Sequence, residues 1–146
     1  MRHLPYDTVT QSRPALESLH PANLHVRTAT TWALGHAYML RGDRAAASQA
    51  YNEVISISKS LGDSVYTIAA ASGLGRVQEA DNQLHQATRT YKRVLQMAGD
   101  PPQPITGEAY RGLARICYQR NDREAAQEGS GGGGGFFVRG GHVWRG

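Results

Sequence analysis

A five-residue phrase in this chain comes back twice. Ala33-Leu34-Gly35-His36-Ala37 lays over Gly73-Leu74-Gly75-Arg76-Val77, and both lay over Gly112-Leu113-Ala114-Arg115-Ile116. Leu34 and Leu74 are 40 residues apart, and Leu74 and Leu113 are 39 apart. Other residues keep step: Gly42-Asp43, Asn82-Gln83 and Asn121-Asp122; Ala47, Ala87 and Ala126; Tyr51 and Tyr91. A unit of this length is too small to bury its own apolar face, so copies must stack on their neighbours. The spacing predicts a helical solenoid before any site is sought.

Within each unit the apolar period is helical. Ala29, Ala33, Leu34, Ala37, Tyr38 and Leu40 recur along a first helix of about Leu24–Arg41, and Gly42 suits its end because glycine tolerates positive φ. Asp43 is placed to cap a second helix of about Arg44–Ser60, whose stripe is Ala47, Ala50, Tyr51, Val54 and Ser58. Gly62-Asp63-Ser64 repeats that stop-and-cap logic. Helices follow at about Val65–Ala80 and Gln83–Ala98, and Pro101 and Pro102 break the chain. A fifth helix is expected over Ile105–Arg120, then a turn at Asn121-Asp122 and a sixth helix cut short at Gly129-Ser130. The organisation expected is an N-terminal extension with the end of a preceding helix at 1–23, repeats at 24–61, 64–98 and 104–128, and a Gly-rich flexible tail at 129–146. Residues 1–12 read as loose and Pro14–Leu19 as a helical scrap, as though the array began upstream.

Composition narrows the function classes. With two Phe and two Trp among 146 residues, Ala, Leu, Val and Tyr must do most of the packing. Of the 16 Lys and Arg, Arg139 and Arg145 lie in the tail, leaving 14 against 12 acidic residues, which makes no electrostatic case for nucleic acid. The lone Cys117 excludes an internal disulfide framework and fits a reducing compartment, and it reads as a small buried residue at the place of Tyr38. No signal peptide or membrane span is evident, so a cytoplasmic protein is expected.

The repeats resemble a known family. Leu34-Gly35-x-x-Tyr38 … Ala47-x-x-x-Tyr51 is similar to the tetratricopeptide (TPR) pattern L-G-x-x-Y … A-x-x-x-F, with Tyr for Phe. Leu74-Gly75 … Ala87-x-x-x-Tyr91 matches it with Gln78 at the Tyr place, and Leu113-Ala114 … Ala126 is a weaker third copy. The long period, with GDRAAASQAYNEVISIS, NQLHQATRTYKRVLQ and YRGLARICYQRND, looks like the TPR sensor region of MalT-like, LuxR-class transcriptional activators, over about Ala15–Gln127. The resemblance implies an all-α, right-handed solenoid of antiparallel TPR hairpins, about two and a half repeats long, with a disordered Gly-rich tail. It implies a fragment of a sensor that lies, in such regulators, between an NTPase module and a DNA-binding helix-turn-helix. Neither activity carries over to any residue here. The other reading is a stand-alone adaptor or scaffold that holds a partner's peptide.

In stacked hairpins of this kind the first helices line the groove. Counted from the repeated Leu, the groove positions are Ala29, Trp32, His36 and Met39, then Ala69, Ser72, Arg76 and Glu79, then Glu108, Arg111, Arg115 and Tyr118. Spacing of three and four puts each set on one helical face. They make an apolar end at Trp32 and Met39, a central His36, and a basic end at Arg76, Arg111 and Arg115 beside Glu79 and Glu108. Guanidinium groups match planar carboxylates and phosphates, which predicts an acidic peptide segment or a small anionic effector. The plainer reading of such charges is solvated pairs along a helix, as Glu108 with Arg111.

Catalysis finds no support. The six histidines show no paired ligand spacing for a metal, and no cofactor motif is present: Gly73-Leu74-Gly75 lacks a third glycine, and the five-glycine run leads to Phe136-Phe137 rather than Lys-Ser. One Val138-Arg139-Gly140-Gly141 is slender support for an RNA-binding tail. A third hairpin missing most of its second helix leaves apolar sides uncovered, so self-association is expected. Light scattering showing a clean monomer would speak against it.

Overall fold

Three of the four turns that join helices 1 to 4, or open them, are built on side-chain caps. In the computed structural model, which describes residues 9–10, 13, 23–101 and 103–131 (backbone alone at 130–131), five α-helices follow one another. They are α1 (Leu24–Arg41), α2 (Arg44–Leu61), α3 (Ser64–Ala80), α4 (Leu84–Ala98) and α5 (Gly107–Gly131), with a 3₁₀ turn at Pro104–Thr106 before the last. No described residue is in a strand. Asn23, Asp43 and Asp63 each accept from the backbone N–H three residues on, which satisfies one orphan donor at the start of α1, α2 and α3. Gly42 and Gly62 take left-handed φ of 88° and 69°, and their N–H groups close the helices they follow. At the α3–α4 turn Asn82 does the same at φ 60°, and Gln83 starts α4 with no side-chain cap.

The chain separates into two units, 1–112 and 113–146. In the first, α1 packs on α2, α2 on α3 and α3 on α4, and the first helices α1 and α3 also touch. Leu34, Ala37, Tyr38, Ala47, Ala50, Tyr51 and Val54 form the core of the first hairpin, and Ala87, Tyr91 and Val94 line the second. Leu40, which shares the α1 apolar period, is 77% exposed and takes no part.

Each second-helix tyrosine is seated against glycines of two first helices. A Cβ on Gly35 would fall 2.7 Å from Tyr51 Cε1, and one on Gly73 would fall 2.6 Å from its Cζ. Tyr91 stands likewise between Gly75 and Gly112, at 2.5 Å and 2.3 Å. Real Cβ atoms do not approach rings this closely, so the ring fills the volume a side chain would need. The repeated phrase thus carries a glycine after its Leu for the unit's own tyrosine and one before it for the preceding unit's. Ala33 and Ala114 stand at the two places whose matching second-helix position, 11 or 130, is not a tyrosine in the sequence.

The expected turn at Asn121-Asp122 does not form. Helix α5 runs through it, past Gly129, and ends at Gly131, so there is no sixth helix among the described residues. The local residues suit a turn, but a folded-back helix also needs an apolar stripe. Where α2 and α4 carry Tyr51/Val54 and Tyr91/Val94, the third copy has Ser130 and Gly133, so nothing repays the ordering of a hairpin. Cys117 is accordingly exposed rather than buried: Tyr38 and Gln78 are covered by the hairpins they belong to, while α5 continues without folding back.

At the other end, helix is present at Val9 and Thr10, where a loose segment was expected, and at Arg13. Val9 joins the first hairpin's core at 6% exposure, and Arg13 donates to the Tyr38 hydroxyl. Burial of one valine and one tethered arginine supplies what the local period lacks. The expected scrap at Pro14–Leu19 and the Gly-rich tail beyond Gly131, with Phe136, Phe137 and Trp144, lie outside the described residues. No helix among those described is long and apolar enough to cross a membrane.

Candidate ligand-binding face

The first helices α1 and α3, with the opening residues of α5, present one face. On α1, Trp32 and His36 are one turn apart and meet edge to face, with ring centroids 4.4 Å apart. Trp32 also meets Tyr66 of α3 at 6.1 Å, and His36 meets Tyr51 of α2 at 5.8 Å, both edge to face. Met39 is half-buried against the same core. The result is an aromatic corner in which Tyr51, entering from the second-helix side, ends beside His36.

Tyr51 is 1% exposed, yet its hydroxyl has no hydrogen-bond partner among the described residues. The indole Nε1 of Trp32 is buried and has no partner among the described residues. Such a group costs about 1–3 kcal/mol when left unsatisfied. Burial raises the Tyr51 phenol to about 12, and the Arg76 guanidinium opposes this only in part. Burial, helped by Arg76, holds His36 below the ordinary imidazole value, which favours its neutral form.

On α3, Arg76 is one turn beyond Gly73 and half exposed. Its one ion pair among the described residues is with Glu108 of α5, Nε to Oε1 at 3.7 Å, too long for a hydrogen bond. Glu108 Oε2 takes Arg111 Nη2 at 2.9 Å, the pairing expected within one turn. Glu79 accepts from the Tyr91 hydroxyl at 2.6 Å. Ser72 is buried and donates to the Ile68 carbonyl at 3.0 Å, so it offers the face nothing. Arg115 and Tyr118 are exposed on the part of α5 in the second unit. The structure therefore brings together Trp32, His36, Met39 and Arg76, with Glu79, Glu108 and Arg111 along the same first-unit face.

Sequence reasoning missed Tyr51 and Tyr66, because a second-helix tyrosine reads as core and Tyr66 falls between groove positions. A signal did exist: glycines flanking the repeated Leu next to a helix with a single matched tyrosine. The clefts of about 320, 150 and 70 Å³ that open elsewhere, such as that between Lys59, Asp63, Ile68 and Met97, use none of the face residues. Among the described residues no group of three His, Cys, Asp or Glu is placed to hold a metal.

A stack of antiparallel helix hairpins with matched tyrosines in glycine seats defines a helical-repeat protein of the tetratricopeptide type. The model of one such family, the MalT-like TPR region, matches residues 1–131, and the chain belongs to that family. No curated protein and no solved structure matches it.

Proposed function

We propose that the chain is a non-catalytic binding module, part of the effector- or partner-sensing region of a MalT-like, LuxR-class transcriptional regulator. What supports this most is the first-helix face, where Arg76 and the Tyr51 hydroxyl are held on helices with no hydrogen-bond partner among the described residues. A stable fold that leaves donors unspent in one place has room for a ligand to spend them. In a repeat array each hairpin contacts only its neighbours, so a ligand bridging α1 and α3 acts on the angle between hairpins. That change is what the module passes on. DNA contact and nucleotide hydrolysis belong to other modules of such regulators and are assigned to no residue here.

The test is a thermal-shift screen of the purified chain against small acids, sugars and peptide pools, followed by titration calorimetry on hits. A ligand that raises the melting temperature of the wild type, and does so much less for Trp32→Ala, is the expected result. A chain that no class of ligand stabilises would overturn the reading. Coding context then separates a regulator from an adaptor: NTPase and helix-turn-helix modules in the same gene favour the first.

A further inference from the structure

We infer that the surface beside Tyr51, His36 and Arg76 is a receptor for one carboxylate group supplied from outside the chain. The inference rests on the reading of this face as a ligand surface and names the chemistry it takes. Its basis is a difference between the two hairpins. Tyr51 and Tyr91 are equivalent, and each ring passes between two glycines with its hydroxyl-bearing carbon against the following first helix. In the second hairpin the phenol donates to a carboxylate of the chain itself, Glu79, at 2.6 Å. The place of Glu79 in the first hairpin is Met39, because both stand five residues beyond the repeated Leu. A thioether is at best a weak acceptor. The Tyr51 hydroxyl is thus a donor without an acceptor among the described residues, at the place where the second hairpin supplies one from its own chain.

The neighbours of that hydroxyl suit an anion. His36 follows Gly35 on one wall, and Arg76 lies one turn beyond Gly73 on the other. Arg76 offers a planar fork of donors, none in a hydrogen bond among the described residues, and its 3.7 Å pairing with Glu108 leaves it able to turn. A carboxylate seated here accepts from the Tyr51 hydroxyl with one oxygen and from the Arg76 guanidinium with the other, while its carbon chain lies over Met39 and the Trp32–Tyr66 corner. Glu79 and Glu108 are the nearby acids: the first is engaged by Tyr91 and the second by Arg111. The group can come from a free small acid or from an acidic side chain of a peptide, and the probes below separate these sources.

The experiment titrates isotope-labelled full chain with sodium succinate, with an acetylated, amidated tetraglutamate peptide, and with sodium chloride at matched ionic strength. The Trp32 indole and His36 ring resonances are followed. Saturable shifts with one or both carboxylate probes, absent with chloride, are expected. A response to succinate alone identifies a free acid, to the peptide alone an acidic segment, and to both the carboxylate itself. Tyr51→Phe keeps the ring and removes the donor, and it weakens binding about tenfold. Arg76→Gln weakens it at least as much. Met39→Glu restores the acceptor that Glu79 provides next door, so it abolishes saturable binding while raising the melting temperature. Should that variant fold poorly, Met39→Gln supplies a neutral acceptor with the same blocking effect. Failure of both probes to saturate, or unchanged binding in Tyr51→Phe and the Met39 variants, overturns the inference. If another ligand class still stabilises the chain through Trp32, only the carboxylate assignment falls; if nothing binds, the sensor reading falls with it.

Discussion

The most consequential contacts at the scale of single residues are those between tyrosine rings and glycine backbones. Alanine is favoured over glycine in a helix by about 1 kcal/mol. A methyl at Gly73 would meet Tyr51 at 2.6 Å, and the ring cannot retreat because Gly35 lies on its other side. Overpacking of this kind costs about 1–3 kcal/mol, so the clash wins. Chemical denaturation of Gly73→Ala is expected to show a net loss of about 1–2 kcal/mol, and of Gly112→Ala a similar loss. Pairing Gly73→Ala with Tyr51→Leu should recover part of it, a non-additivity that a pure propensity effect would not give. Thr31 is buried with a hydroxyl that has no partner, so Thr31→Val is expected to raise stability by about 1 kcal/mol.

Titration gives two further residue-scale expectations. His36 is held below its ordinary value, so the unfolded chain binds its proton more readily than the folded one. Stability is then full above about pH 6.5 and falls as the pH drops below it; His36→Gln should flatten that part of a stability–pH curve. Tyr51 is displaced the other way, to about 12. The folded chain keeps the phenolic proton that the unfolded chain loses, so stability declines as pH rises from about 10, and Tyr51→Phe removes the decline. Thermal melts across pH 5–11 check both.

Among the elements, α5 differs from the rest. Helices α1 to α4 each bury a continuous stripe, while beyond Gly112 α5 has Ile116 buried and Leu113 and Ala125 half-buried, with every other side chain through Glu128 exposed. Helical stability in proteins comes mainly from such packing. Amide hydrogen exchange is therefore expected to be slowest in α2 and α3 and fastest, by orders of magnitude, beyond Cys117. Equal protection along α5 would contradict this. The α2–α3 pair is tied further by a buried hydrogen bond of 2.7 Å between Ser58 and Thr67, and Arg44 and Asp81 link the α1–α2 and α3–α4 turns at 2.5 Å. The exposed pair is worth little, the buried one more.

Taken whole, the molecule shows which of its features are written in local pattern. The period of 40 and 39, the stripe of Ala47, Ala50, Tyr51 and Val54, and the Gly42-Asp43 and Gly62-Asp63 stops are short-range rules, and they determined the four hairpin helices and their order. The groove positions followed from counting along a helix, which is why Trp32, His36, Met39 and Arg76 come to one face and why Glu108 pairs with Arg111. What counting cannot supply is depth. Ser72 obeys the same spacing but is buried, its hydroxyl turned back on the Ile68 carbonyl of its own helix. Tertiary structure alone decided that Tyr51 reaches the first-helix face from behind, that its hydroxyl meets no acceptor among the described residues where Met39 replaces Glu, and that Asn121-Asp122 stays helical. Each of these depends on what another segment places alongside, a glycine without a side chain, a missing carboxylate, an absent apolar stripe, and long-range company of that kind leaves no period in the chain.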